Sequence, residues 1–405
     1  MKAPAPFPNP ILIPKGFRFA AVAVGIKASG RLDLALVEAA PGTTAAAVFT
    51  RNVIVAAPVE IGRAHLKKTR GRLRAVIVNS GNANCATGQA GLQACERICR
   101  ETASILGVKT QEVFPSSTGI IGVPLPVEAI TLKLPELAAM RVPTPEGLNQ
   151  FSTAILTTDS RCKLASQQFR AGGSEVRLLG VAKGSGMIHP QLATMLVYLF
   201  TDLRATPAHL KQSLREVCDR TFNCISVDGD TSTNDTVLLL ASGLSGVRVN
   251  DCGVHEKFDR ALMRVCQSLA EQIVSDGEGV QHVIRLQIEQ AKNRAEALQV
   301  ARAIACSLLV KTAWAGADPN WGRILAAIGR SGAPVDPGRI SIFIGKQQVC
   351  RGGAGCHFDQ DGAHQDLARP SCDLRVRLGR GHSRATFITS DLTADYVRIN
   401  ADYST

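Results

Sequence analysis

Short apolar, β-branched runs separated by turn residues dominate the first half of the chain. They predict strands at residues 19–24, 32–37 and 75–78. Residues 195–200 are apolar at every position, which is typical of a strand covered on both faces. This run follows GVAKGSGMIHPQLAT, residues 180–194, so Thr194 lies where a glycine-rich loop meets a buried strand.

Helical spacing of apolar residues is clearest at residues 89–106 and 254–274, and a third helix is predicted over residues 294–313. Strand alternation returns at residues 339–345 and 374–380. Strands and helices are interleaved without a regular βαβ repeat. We therefore expect a layered α/β sandwich with mixed sheets, not a doubly wound Rossmann fold, plus a smaller C-terminal α/β lobe from about residue 285.

The bulk properties are those of a globular protein with more than one lobe. A chain of 405 residues exceeds one ordinary core. Its 46 Lys and Arg against 34 Asp and Glu give a net charge of +12, which favours acidic partners, either small molecules or nucleic acid. The sequence contains neither a signal peptide nor an apolar run long enough for a membrane span, so we expect a cytoplasmic protein without membrane contacts.

The metal-binding, calcium-binding and nucleic-acid-binding motifs in the sequence are weak evidence for function. The 12 cysteines are scattered and predict reduced thiols, and no clustered Cys and His set predicts a metal site. The acidic stretch at residues 226–236 resembles a calcium loop but lacks its glycine and its final glutamate, so a tight turn is favoured. The basic stretch at residues 63–75 has no interleaved aromatic residues, which favours a solvated face over a nucleic-acid site.

Thr194 has two interpretations. Threonine is a good strand former, so a structural role is one of them. The other is catalytic, because cutting the chain just before Thr194 would place an α-amine, with a pKa of about 8, beside its own hydroxyl as a base. The small Ala193, the glycine-bearing loop and the buried strand supply what self-cleavage between Ala193 and Thr194 needs.

Seven sequence blocks together suggest a family. They are NSGNAN at residues 79–84, SSTGIIG at 116–122, TTD at 157–159, SVDGDTSTND at 226–235, DGEG at 276–279, ADPNWGRILAA at 317–327 and INADYST at 399–405. In this order, and almost from end to end, the chain resembles the ornithine acetyltransferase family, the bifunctional glutamate N-acetyltransferases of arginine biosynthesis. It departs at TTDSRCK, residues 157–163, where the family pattern is T-T-D-T-x-P-K.

The resemblance implies a self-processing threonine enzyme. Cleavage would give an α chain, residues 1–193, and a β chain, residues 194–405, which assemble as an α2β2 heterotetramer. Thr194 would carry the acetyl group from N-acetylornithine to glutamate by a ping-pong route. Acetyl-CoA is expected as a further acetyl donor, and no cofactor or metal is expected.

The resemblance also implies site residues. The oxyanion donors would be the Thr118 hydroxyl and the Gly119 backbone N–H. The substrate-binding residues would be Thr157, Lys183, Thr194, Glu278, Asn400 and Thr405. Two alternatives stay open at this point: an amidase or aminopeptidase of the same chemistry with water as acceptor, and a non-catalytic RNA-binding protein suggested by the positive charge.

Overall fold

The computed structural model describes residues 11–189 and 195–402. The strands are β1 Phe17–Val22, β2 Leu34–Ala39, β3 Thr44–Phe49, β4 Ala75–Asn82, β5 Val113–Ile120, β6 Lys163–Ala171, β7 Ser174–Lys183, β8 Leu196–Thr201, β9 Ile225–Ser226, β10 Thr236–Ala241, β11 Val283–Ala291, β12 Ser341–Ile344, β13 Gln347–Arg351, β14 Ala354–Gly355, β15 Ser371–Arg377 and β16 Ser383–Ser390.

The α-helices are α1 Ala57–Lys68, α2 Gly88–Leu106, α3 Val127–Ala139, α4 Pro145–Ala154, α5 Pro207–Arg220, α6 Val254–Ser275, α7 Arg294–Ala305, α8 Leu308–Ala315, α9 Trp321–Gly329, α10 Gln360–Leu367 and α11 Ala394–Asp402. Short 3-10 helices occupy Thr110–Glu112, Phe222–Cys224 and Pro337–Arg339.

The strands form three mixed sheets. Their strand orders are β1-β2-β4-β5, β3-β10-β8-β7-β6 and β14-β13-β12-β15-β11-β16-β9. Each sheet contains parallel and antiparallel pairs; for example, β8 runs parallel to β10 but antiparallel to β7. The predicted layered α/β fold with mixed sheets is therefore confirmed.

The two smaller sheets pack face to face. Aromatic side chains fill the space between them, and the Phe17 and Phe19 rings lie 5.1 and 5.4 Å from the Phe200 ring. Successive residues of each strand point to opposite faces, so the alternate residues pack outward. On one outer face they contact α2 and α3, and on the other they contact α5 and α6. The result is a four-layer sandwich.

Strand β8 lies inside this sandwich. All of its residues are buried, with Val197 and Leu199 packed toward α5 and α6 and Tyr198 and Phe200 packed toward the other sheet. The uninterrupted apolar run in the sequence is explained by this double coverage.

The seven-stranded sheet carries a separate apolar cluster. It is formed mainly by β11, β12, β15 and β16 with α7, α8 and α9. Its first long strand begins at Val283, close to the predicted start of a C-terminal lobe. The division of the chain at residue 193 falls outside the described residues and stays a prediction.

Element boundaries were predicted closely for two helices and wrongly for a third. Helices α2 and α6 match the predicted ranges to within a residue. The single helix predicted over residues 294–313 is two helices, because Cys306 ends α7 and Ser307 is extended at φ −81°, ψ 110° before α8 begins. Both segments are apolar on one face, so periodicity alone does not reveal the break. In the described ranges no helix is long and apolar enough to cross a membrane.

Candidate functional site

A cavity of about 470 Å³ opens where β5 and β7 end. Its volume suits a ligand of amino-acid size or somewhat larger. Six predicted site residues line it: Thr118, Gly119, Thr157, Lys183, Glu278 and Asn400. Residues that are up to 282 positions apart in the chain therefore line the same cavity. Their individual roles stay predictions.

Thr118 and Gly119 lie near the end of β5. The Lys183 ammonium donates a hydrogen bond of 3.1 Å to the Thr118 hydroxyl, and both side chains are buried. Since Thr118 accepts this bond, its own O–H remains available to donate elsewhere. Gly119 has φ +132°, and a Cβ there would lie 2.3 Å from the Gly81 carbonyl carbon. Only glycine allows this close approach of the two strands.

The asparagine-rich block before the site is a buried scaffold. The Asn79 side chain donates to the Asn82 carbonyl at 2.8 Å and accepts from the Ser117 hydroxyl at 2.6 Å. From the loop before β10, the Asn234 amide donates to the Ala83 carbonyl at 2.7 Å and to the Ser117 carbonyl at 2.9 Å. These bonds satisfy buried polar groups and hold the ends of β4 and β5 in place.

A buried charge cluster lies behind the cavity. The Lys163 side chain is fully buried, and its ammonium contacts Asp159 at 2.6 Å and Asp276 at 2.5 Å. Asp159 also accepts from the Gly184 N–H at 2.6 Å and from the Thr157 N–H at 3.1 Å. One ammonium thus joins the Thr157 loop, the end of β7 and the loop that carries Glu278.

The charges of this cluster influence one another. Burial opposes ionisation of Asp159, but the Lys183 and Lys163 charges outweigh it and hold the pKa of Asp159 well below its usual range. Burial lowers the pKa of Lys183, and the attraction of Asp159 only partly offsets that effect. Lys183 is therefore easier to deprotonate than a lysine in water.

Asp235 fixes the chain directly after the predicted nucleophile. Its Oδ1 accepts the Met195 N–H at 2.9 Å, and its Oδ2 has no hydrogen-bond partner among the described residues. Burial raises the pKa of Asp235 well above its usual value, although the Met195 N–H and the Lys183 charge favour the ionised form. A second aspartate, Asp228, accepts the Met187 and Ile188 N–H groups at 2.6 and 2.9 Å, and burial raises its pKa to about 6.

Glu278 forms an acidic wall of the cavity together with helix α11. Its Oε2 accepts the Asn400 side-chain amide at 2.8 Å. A Cβ on Gly186 would lie 2.6 Å from both Glu278 oxygens, so glycine leaves room for the carboxylate. With Lys183 also in the lining, the cavity presents both a cation and an anion.

Three predicted residues, Ala193, Thr194 and Thr405, lie outside the described residues. Within residues 11–189 and 195–402, no group of three or more His, Cys, Asp or Glu side chains is arranged to hold a metal ion.

Sequence reasoning missed Lys163, Asp228, Asn234 and Asp235. The acidic stretch, for which the sequence favours a tight turn, supplies the last three of these residues. One signal in the sequence could have identified these three residues: the acidic stretch contains one of the blocks that resemble the family. Lys163 ends the TTDSRCK block but contacts Asp276, 113 positions away, which spacing in the sequence does not reveal.

Comparisons with known proteins agree on one family. The ArgJ family model matches residues 18–405. An arginine biosynthesis bifunctional protein ArgJ from Methylococcus capsulatus is 43% identical over 394 residues, covering 96% of this chain and 95% of the relative. Another from Ruegeria pomeroyi is 42% identical over 402 residues, covering 99% and 97%. A crystal structure of ornithine acetyltransferase complexed with ornithine from Mycobacterium tuberculosis is 37% identical, covers 45% of this chain and 94% of that one, and has a TM-score of 0.39.

Replacing Lys163 with methionine should destabilise the protein strongly. The change removes the buried ammonium that both Asp159 and Asp276 contact, and breaking a buried pair costs about 3–5 kcal/mol. The free energy of unfolding from urea titration measures the effect. Lys133→Met is the matched control, since Lys133 forms an exposed pair with Glu136 and should contribute less than about 1 kcal/mol. Equal effects of the two variants would contradict the cluster's importance.

The same cluster predicts a pH dependence. Because the folded-state pKa of Asp159 is depressed, its contribution to stability is present above its ordinary pKa of 3.8 and is lost as pH falls below that value. The wild type should therefore lose stability more steeply on acidification than Lys163→Met, in which one of the stabilising cations is gone. Parallel acid-unfolding curves would be the contrary result.

Proposed function

The chain belongs to the ArgJ family, and on that premise we propose that its cavity transfers the acetyl group of N-acetylornithine to glutamate through an ester on Thr194. The overall assignment as a bifunctional enzyme of arginine biosynthesis rests on the family match over residues 18–405 and on relatives similar along nearly the whole chain. The residue roles below are our proposal.

One observation carries this proposal. Thr118, Gly119, Lys183 and Glu278 line one cavity of amino-acid size. Strand pairing places Leu196 opposite Lys183. Thr194 is two positions before Leu196 in the sequence, and this short separation from Lys183 supports its assignment to the cavity.

The first step is cleavage of the chain. The Thr194 hydroxyl attacks the Ala193 carbonyl carbon, the peptide C–N bond breaks, and the acyl group shifts to oxygen as an ester. Water then hydrolyses the ester, leaving a carboxylate on Ala193 and a free hydroxyl and α-amine on Thr194. Asp235 supports this step because it anchors the next peptide N–H at 2.9 Å.

Acetyl transfer reuses the same hydroxyl. Thr194 attacks the acetyl carbonyl of N-acetylornithine while its α-amine takes the hydroxyl proton and then returns it to the departing ornithine amine. Glutamate next attacks the acetyl ester with its own amine, and N-acetylglutamate leaves. The α-amine needs to be neutral to act as a base, and the nearby buried Lys183 favours that form by like-charge repulsion.

Negative charge develops on the carbonyl oxygen in each half-reaction. We assign its stabilisation to the Thr118 hydroxyl and the Gly119 N–H. The Lys183 ammonium, 3.1 Å from the Thr118 oxygen, orients that hydroxyl and increases its acidity. A preorganised donor of this kind is worth about 3 kcal/mol in the transition state.

The cavity charges suit amino-acid substrates. Glu278, oriented by Asn400, is suited to bind the δ-ammonium of ornithine, while Thr157 lines the same cavity and Lys183 supplies its positive charge. Thr405 is proposed as a further ligand by resemblance to the family.

The remaining features follow the family. We propose acetyl-CoA as a second acetyl donor for glutamate, assembly of the cleaved chains as an α2β2 heterotetramer, and a cytoplasmic location. No cofactor enters the proposed reaction.

Purified protein should contain two fragments that meet at Ala193 and Thr194. Intact-mass spectrometry tests this, with one unbroken chain of 43.0 kDa as the contrary result. Thr194→Ala should stay whole and inactive, because it lacks the hydroxyl. The wild type should transfer acetyl to glutamate, whereas release of free acetate at an unchanged rate without glutamate would indicate an amidase instead.

Gly119→Ala should lower kcat by about 100-fold or more, because the added methyl group moves the backbone and turns the N–H away from the oxyanion, which has the effect of losing one donor. The new Cβ would lie 2.3 Å from the Gly81 backbone and force the two strands apart. Gly122→Ala is the control: Gly122 also has positive φ, at +84°, but a methyl group there would meet no atom of the described residues within 4 Å. Steady-state kinetics with circular dichroism separates the two, and similar kcat values would argue against the Gly119 role.

Asp235→Ala should slow self-cleavage by about tenfold or more, because the Met195 N–H loses its acceptor and the scissile peptide its alignment. The time course of fragment appearance after synthesis measures the rate. Asp202→Ala is a matched control, since Asp202 is equally buried but follows the far end of β8, where it accepts the Arg177 N–H. Normal cleavage of Asp235→Ala would remove this residue from the proposal.

A further inference from the structure

A second, larger concavity of about 960 Å³ lies at the opposite end of the five-stranded sheet. Four exposed arginines line it: Arg70, Arg72, Arg204 and Arg248. Two of them belong to the basic stretch at residues 63–75, which the acetyl-transfer site does not use. Strand β8 runs from Leu196 near the active-site cavity to Thr201 near this concavity, a span of about 17 Å at the usual rise per residue.

Backbone pairing holds three of these arginines in place. Arg204 and Arg248 are partners in a parallel β-bridge. The Arg204 N–H donates one backbone hydrogen bond and the Arg204 carbonyl accepts another, each with an N···O distance of 2.9 Å. Arg72 is the bridge partner of Thr44, whose hydroxyl donates to the Ala205 carbonyl at 2.8 Å. The two bridges are thus joined through Thr44, and they fix the directions in which the side chains leave the backbone.

The fourth arginine occupies an unfavourable backbone conformation. Arg70 has φ +54° just after the C-terminal cap of α1, a position where glycine is the usual residue. A left-handed conformation costs a side-chain-bearing residue about 1 kcal/mol or more. Two backbone hydrogen bonds that close the end of α1 offset this cost: the Arg70 N–H donates to the Lys67 carbonyl at 3.3 Å and the Gly71 N–H donates to the Leu66 carbonyl at 2.8 Å. The Arg70 side chain is exposed and makes no hydrogen bond or ion pair with any described residue, so it is free to contact a ligand.

The positive charge of the concavity is only partly neutralised from within, because its lining holds four arginines and one aspartate. The four guanidinium groups form no ion pair with the described residues. The acidic side chain in the lining, Asp251, accepts the Arg248 backbone N–H at 2.9 Å. Helix α5 also begins here, with Thr206 and Pro207 in the lining, so its N-terminal dipole adds to the positive potential. Four like charges around one concavity repel one another unless an anion binds between them.

We propose that this concavity binds a small molecule that carries two or more linked phosphate groups. A guanidinium group can donate two hydrogen bonds to one phosphate, and several arginines around one concavity match several linked phosphates. The described lining contains no aromatic residue on which a nucleic-acid base could stack, and the surface is concave, which favours a compact polyphosphate over an RNA strand. Its position at the far end of β8 separates this site from acetyl transfer.

Isothermal titration calorimetry on the purified full-length protein tests the proposal, with tripolyphosphate, orthophosphate and a single-stranded RNA oligonucleotide as probes. Tripolyphosphate should bind at least about tenfold more tightly than orthophosphate, because it engages several arginines at once. The double variant Arg72→Ala/Arg248→Ala should weaken tripolyphosphate binding by about tenfold or more, since two charge-assisted contacts are lost.

Arg215→Ala/Arg384→Ala is the matched control. It removes the same net charge from exposed arginines outside the concavity and should change binding by less than about twofold. An equal loss in both double variants would show non-specific charge attraction and overturn the proposal, as would absence of tripolyphosphate binding to the wild type. Tighter binding of RNA than of tripolyphosphate would overturn it in favour of a nucleic-acid surface. Acetyl transfer should be unchanged in all these variants, so this test is independent of the proposed function.

Discussion

The buried contact of Lys163 with Asp159 and Asp276 is the interaction on which the geometry of the candidate site most depends. These charges would be costly to bury alone, so they are held together at 2.5–2.6 Å, and their backbones are held with them. Through Asp159 the cluster reaches Gly184 and Thr157, and Asp276 lies two residues before Glu278. The need to neutralise these buried charges therefore also fixes the relative positions of the three chain segments that border the cavity.

The second constraint is the four-layer sandwich around β8. A strand covered on both faces cannot move without disturbing two apolar clusters, so its first residues provide a rigid base for Met195. Asp235, at the start of the neighbouring strand β10, then fixes the Met195 N–H. Glycine has the opposite role at Gly119 and Gly186, where the absence of a side chain lets backbone or carboxylate approach closely. Rigid strands and small residues together define the cavity.

The distribution of charge separates two regions of the protein. Behind the candidate active-site cavity, Lys163 is buried and paired with Asp159 and Asp276, so these charges compensate one another within the protein. At the other end of the same sheet, exposed arginines surround a concavity without such partners in the described chain. The net charge of +12 is a sum over the whole chain, so it does not reveal this difference between the two regions.

The sequence by itself determined the layered α/β class, the buried strand that became β8, helices α2 and α6 and, through its ordered blocks, the family and six residues of the cavity lining. These are local patterns or motifs, which spacing along the chain preserves. Only the tertiary structure decided the break between α7 and α8, the Lys163 cluster and the contact of Asp235 with Met195. The residues in these contacts lie up to 113 positions apart, and the helix break depends on how two apolar faces pack. Spacing along the sequence shows neither, because both are set by which groups are buried together in the folded chain.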